Sequence, residues 1–196
     1  MAKRGSKKAV KPTRTVDPGP RLRKSLVRCT KGELIDVLVE LARGDRAVLR
    51  RLAARLELQA PPKELVEMTR QAIADATAFD ERWVNYNFDY DYEAYEEVER
   101  NLRQLVGLGH LRPAMELSLE LMDKGGYQVE SSDEGLMTED IEACFSSVLK
   151  ALHQCDLPAA EVIAWCAKML KTDRVGFICD QELQTLRRQF ERPPSP

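Results

Sequence analysis

LRQLVGLGHLRPAMELSLELM, residues 102–122, is the stretch whose reading decides the fold. Leu102 and Leu105 share one face of a helix that ends near Gly107 and Gly109, and Ala114, Leu117 and Leu121 form the apolar stripe of a second helix just beyond. The same layout returns at residues 148–170, VLKALHQCDLPAAEVIAWCAKML, a period of about 45 residues. Residues Val37–Leu56 repeat it with a shorter turn. Helical hairpins recurring at such a period stack side by side, each covering the apolar face its neighbour exposes. The expectation is an all-α chain of about eight helices in antiparallel hairpins, arranged as a solenoid-like array.

Working outward, the punctuation agrees with helices. Thr30-Lys31-Gly32-Glu33 has the form of a capping box, followed by Leu34, Ile35, Leu38 and Leu41 at helical spacing. Gly44 and Asp45 read as a C-cap and an N-cap, leading into a helix with Leu49, Leu52 and Leu56 as its stripe. Pro61-Pro62 open another, with Leu65, Met68, Ala72, Ile73 and Ala76. Tyr95 and Val98 begin the helix that runs into residues 102–122, whose second helix is expected to stop at Gly125-Gly126 before a polar loop over 127–137. Ile141, Cys144, Phe145, Val148, Leu149 and Leu152 continue the pattern, as do Val162, Ile163, Cys166, Met169 and Leu170, and then Leu183, Leu186 and Phe190. No run of alternating residues competes for a strand.

Charge is distributed unevenly. The chain sums to −2, yet residues 1–28 hold ten cations (Lys3, Arg4, Lys7, Lys8, Lys11, Arg14, Arg21, Arg23, Lys24, Arg28) against Asp17 alone, which leaves −11 on the remainder. Residues 1–28 read as a disordered basic arm, 29–190 as the helical domain and 191–196 as a disordered tail. Such an arm neutralises phosphates and releases counterions, so polyanion binding through these ten residues is one functional expectation. No apolar run is long enough to span a membrane and no secretory h-region opens the chain, which points to the cytoplasm.

Three further features bear on chemistry. Cys29, Cys144, Cys155, Cys166 and Cys179 form no Cys-x-x-Cys pair, and their odd number and wide spacing favour reduced thiols over a disulfide framework or a zinc site. Asp89, Asp91 and Glu93 alternate like a calcium loop but have Ala94 and Arg100 where glycine and glutamate are required, so they read as acids at the mouth of a helix. His153, Cys155, Asp173 and Asp180 have no spacing that asks for a metal. No cofactor, metal or catalytic residue is expected. The stretch FDERWVNYNFDYDYEAYEEVE, residues 79–99, carries seven of the twelve aromatic residues, set among acids. Part of it must seal helical layers, and part is left for contact: Trp83, Tyr86, Tyr90 and Tyr92 are the candidate partner-binding residues, because Trp and Tyr bury much area at low entropic cost. Their acidic surroundings disfavour stacking on single-stranded nucleic acid and favour a basic protein or peptide.

Glu33–Arg55, Phe88–Val98 and the hairpin from Gly109-His110 to Met122 resemble a set of bacterial helical-repeat proteins, similar to the helical region that accompanies SWIM-type zinc fingers. The likeness covers most of residues 30–190 and implies the fold. The finger itself needs a Cys-x-Cys pair that this chain lacks, so no metal or nucleic-acid role of the finger carries over. The reading is therefore a non-enzymatic helical interaction module that takes a protein or peptide partner, with nucleic-acid association through the arm as its alternative.

Overall fold

A computed structural model describes residues 19–191 apart from Glu57, Phe88 and Glu134. The chain divides into two units, Met1–Arg46 and Ala47–Pro196. Within the first, α1 (Gly19–Leu26) occupies part of the stretch read as a disordered arm, while residues 1–18 lie outside the described residues. Helix α2 (Lys31–Gly44) starts at the expected box: the Thr30 backbone N–H donates to Glu33 Oε2 at 2.7 Å and the Glu33 N–H donates to Thr30 Oγ1 at 3.3 Å. The Thr30 backbone N–H, and then its hydroxyl, which also donates to Glu33 Oε2 at 2.9 Å, hold the Glu33 carboxyl below its ordinary pKa. No residue of α1 or α2 is buried.

The second unit carries α3 (Arg46–Leu56, its first residue closing the first unit), α4 (Pro62–Ala76), α5 (Glu81–Asn87), α6 (Tyr92–Gly107), α7 (Leu111–Glu130), α8 (Thr138–Leu152), α9 (Ala159–Thr172) and α10 (Asp180–Glu191). Among the described residues there is no strand, and all-α is the architecture. Among the described residues ten helices replace the expected eight, because α1 forms inside the arm and α5 inside the aromatic segment. The tail beyond Glu191 lies outside the described residues.

One apolar cluster runs through this unit, from Leu65, Ala72 and Ile73 of α4 to Leu183 and Leu186 of α10. Helix α4 packs on α6, α6 on α8, and α9 on α10, with α7 laid against α4, α8 and α9. The buried positions of α6 (Tyr95, Val98, Leu102, Leu105) and of α8 (Ile141, Cys144, Phe145, Val148) are those the helical period assigns.

Two expectations need correction. Helix α7 does not stop at Gly125-Gly126 but runs through them to Glu130, and only 131–137 link it to α8. Gly125 lies under α8: a Cβ there would sit 2.8 Å from Ile141 Cδ1, so its missing side chain serves close helix packing rather than a turn. The second correction concerns α3. Its expected stripe is largely in solvent, with Leu49 37% and Leu56 61% exposed, and the residues it buries are Arg50 and Ala53.

The spacing of elements is regular. Helices α3, α6 and α8 begin at residues 46, 92 and 138, and α4, α7 and α9 at 62, 111 and 159. Several polar contacts between elements span a similar separation: Asn85 with Ser131, Arg50 with Glu97, Tyr95 with Cys144, Arg112 with Glu161, Tyr90 with Asp140 and Met115 with Trp165 lie 46 to 50 residues apart, while others, such as Arg50 with Asp75 and Tyr95 with Gln128, do not.

Candidate functional site

Arg50 is the centre of the most concentrated charge in the second unit. Its Nε donates to Glu97 Oε2 at 2.9 Å, one terminal nitrogen to Asp91 Oδ2 at 2.6 Å and the other to Asp75 Oδ2 at 2.7 Å. Each nitrogen of the fork thus serves a different carboxylate: one at the end of α4, one at the N-cap of α6, one a turn inside α6. Charge-assisted bonds of this length are the strong kind. Burial works against the guanidinium charge, but Asp91, Asp75 and Glu97 together outweigh it and hold Arg50 above its ordinary pKa. The carboxylate ring explains why α3 turns Arg50 inward instead of its leucines.

Asp91 does two jobs. Its Oδ1 accepts the Ala94 N–H at 3.0 Å and caps α6, while its Oδ2 faces Arg50. Glu93 pairs with Arg51 at 2.8 Å. The acids resembling a calcium loop are therefore split between helix capping and arginine pairing. Among the described residues no group of three or more His, Cys, Asp or Glu could hold a metal. His153 instead meets Gln189 at 2.6 Å, and Asp173 accepts the Val175 and Ile178 N–H groups.

Beside Arg50 lies an open cleft of about 500 Å³, walled by Arg51 of α3, Asp75 of α4, Phe79 and Asp80 in the turn, Trp83 of α5, and the run from Asp89 to Glu93. Counting Glu97 and Arg50 behind the wall, six carboxylates face two guanidiniums among the described residues, an excess of four negative charges. Aromatic rings form the rim. Trp83 is 53% and Tyr92 56% exposed, far more than large aromatics with a packing role need.

The four aromatic residues read from sequence thus separate. Trp83, Tyr90 and Tyr92 come together in the cleft. Tyr86, 80% exposed on α5, is not among its walls. Tyr90 is half-buried, donates to Asp140 at 2.9 Å and packs edge-on against Tyr95 at 6.2 Å, so it seals the joint to α8 while showing one side to the cleft. Burial, then the bond to Asp140, push its hydroxyl up to about 12. Tyr95 is fully buried and donates to Gln128, and Phe79 packs on Tyr127 at 5.9 Å, so these two are structural.

Of the ten arm cations, Lys3, Arg4, Lys7, Lys8, Lys11 and Arg14 lie outside the described residues, while Arg21, Arg23 and Lys24 on α1, and Arg28 after it, are exposed. Cys144, Cys166 and Cys179 are buried, which raises all three thiols, Cys166 to about 11 and Cys179 to about 12. Cys29 is exposed. Sequence reading missed Arg50; the available signal was its i, i+3 relation to Ala53, which puts both on one face of α3.

No family model, curated protein or solved structure matches the chain. Among the described residues no helix is long and apolar enough to cross a membrane.

Proposed function

We propose that the protein is a non-enzymatic docking module whose acidic, aromatic-rimmed cleft takes a lysine- or arginine-bearing peptide segment of a partner protein. The observation that carries this reading is the pairing of exposed Trp83 and Tyr92 with a surplus of carboxylates in one cleft. An aromatic face attracts a cation, more so beside carboxylates, and the protein already uses that contact where Arg174 lies 5.3 Å over the Tyr127 ring. Open, charged walls suit an extended side chain better than a small molecule, which favours an enclosed apolar pocket. The regular spacing of α3, α6 and α8, and of α4, α7 and α9, supports reading these helices as a repeat scaffold that displays the cleft near its first helices. A cytoplasmic, bacterial setting belongs to the same reading.

A second reading places the function in the arm, where the exposed Arg21, Arg23, Lys24 and Arg28 favour a polyanion such as nucleic acid. One titration separates the two. The full chain is titrated into a short fluorescein-labelled lysine–arginine peptide while the anisotropy of the label is followed, a readout that every variant shares. Docking predicts saturable binding that weakens roughly tenfold in Trp83→Ala and survives deletion of residues 1–28. Absence of peptide binding, or binding indifferent to Trp83, sinks the docking reading. Salt-sensitive DNA binding lost with residues 1–28 would establish the arm instead.

A further inference from the structure

We infer that the cation taken by the cleft is a quaternary ammonium, carried on a trimethylated lysine side chain of the partner. The inference rests on the docking reading and names the ligand class of that same cleft. Three observations carry it. First, four aromatic side chains line one opening: Phe79 in the turn before α5, Trp83 on α5, Tyr90 just before α6 and Tyr92 at its first position. Second, the two rim rings have no other occupation. Trp83 and Tyr92 are more than half exposed, and neither side chain makes a hydrogen bond or a ring contact among the described residues. Tyr90 differs, since its hydroxyl is taken by Asp140 and its ring is braced against Tyr95, which makes it a fixed wall. Third, four of the five carboxylates lining the cleft already accept hydrogen bonds. Asp91 caps α6 with one oxygen and meets Arg50 with the other, and Asp75 divides its oxygens between Gln71, at 3.0 Å, and Arg50. Asp80 accepts the Arg82 N–H at 2.9 Å, and Glu93 accepts from Arg51 at 2.8 Å; Asp89 alone of the five has no such bond among the described residues.

A lining strong in negative field but short of open acceptors selects between cations. A primary ammonium brings three N–H donors and a tightly held water shell, and its desolvation is offset only where acceptors receive those donors. A trimethylammonium has no N–H to satisfy and is held by ring faces within a surrounding negative field. Its methyl groups also remove apolar surface of Trp83 and Tyr92 from water. An open cleft of about 500 Å³ admits such a head group on a long aliphatic stem, whereas a free small amine such as choline leaves much of that space to water. The lysine side chain is the source that fits.

The test uses the full chain and the fluorescein-labelled lysine–arginine peptide in three forms. Its central lysine is unmodified, trimethylated, or replaced by the neutral isostere in which carbon stands for the quaternary nitrogen. Anisotropy is expected to show about tenfold tighter binding of the trimethylated form than of either other form. Trp83→Leu and Tyr92→Leu keep apolar bulk at exposed positions and remove a ring face, so each should bring the trimethylated and unmodified forms to within about twofold. Equal binding of those two forms by the wild type, with Trp83 still required, overturns the inference and leaves the docking reading standing. Equal binding of the trimethylated form and the carbon isostere overturns it as well, because the cleft then reads shape and not charge. Selectivity that survives both leucine substitutions takes the rings out of the site and has the same consequence. Calorimetry with choline alone distinguishes the source: affinity equal to that of the trimethylated peptide moves the ligand to a free amine and overturns the proposal. If none of the three peptides binds, the docking reading itself has failed and the inference falls with it.

Discussion

Gly125 and Gly126 are neighbours in the interior of one helix, and the surroundings give them opposite roles. A Cβ on Gly126 would lie 3.7 Å from the Arg174 backbone nitrogen, ordinary van der Waals contact, so Gly126→Ala should stabilise by about 0.5–1 kcal/mol through lost unfolded-state freedom. A Cβ on Gly125 meets Ile141 Cδ1 at 2.8 Å and Cγ1 at 3.3 Å, and Ile141 is fully buried, so it has little room to give way. Overpacking of roughly 1–3 kcal/mol then exceeds the propensity gain, and Gly125→Ala should destabilise. The diagnosis is sharpened by Ile141→Val, which removes the offending Cδ1. Alone it should cost roughly 0.5–1.5 kcal/mol, and in the Gly125→Ala background clearly less. Urea midpoints of the four proteins decide it; equal costs in both backgrounds would mean the added methyl meets no resistance.

At the scale of elements, what was legible in the sequence tracks how locally each signal is determined. The start of α2 was readable because a capping box is closed by Thr30 and Glu33 themselves. The stripes of α6 and α8 were readable because each pairs with neighbours of the same apolar period. Three features were not. Helix α5 has seven residues in a segment dominated by aromatics, below the length at which periodicity speaks. Helix α7 continues through two glycines, and at Gly125 the next helix, α8, needs the space, a demand set by tertiary packing and not by the local pattern. Helix α3 presents Arg50 rather than its leucines because carboxylates of α4 and α6 await it, and no local pattern announces a partner 47 residues away. The cleft shared that fate: Trp83 and Tyr92 stand out in the sequence as candidate contact aromatics, while the carboxylates that line the cleft with them come together only on folding. Local caps also make local predictions. The Glu33 carboxyl is lowered by its bonds to Thr30, so its contribution is present above the ordinary carboxyl pKa and is lost as pH falls through the folded value. Acidification should therefore fray the first turn of α2 ahead of the buried helices, read as earlier loss of amide protection at Leu34 than at Leu102. Abolition of that difference in Glu33→Gln would tie it to this carboxyl.

For the whole molecule, the question is whether one continuous apolar cluster behaves as one cooperative core or as coupled repeats. The cluster itself does not decide, since it links α4 to α10 without a break. The packing runs from one end to the other: α4 meets α6 and α7, α6 meets α7 and α8, α7 meets α8 and α9, and α8 and α9 meet α10. Nearest-neighbour coupling of that kind makes stability a sum over interfaces, so damage at one end should stay there. Leu183 and Leu186 are fully buried on α10, and replacing either with alanine should cost roughly 2–5 kcal/mol where it packs. In a repeat scaffold the pair loosens α9 and α10, and Cys166, whose thiol burial now pushes to about 11, becomes reactive toward a thiol reagent near neutral pH. Exchange over residues 62–107 and peptide affinity at the cleft stay as in the wild type. In a single cooperative core the same substitutions would raise exchange everywhere together and take the cleft down with α10. Reactivity of Cys166 measured beside peptide binding in Leu183→Ala/Leu186→Ala separates the two, because only a repeat scaffold lets the first change while the second does not.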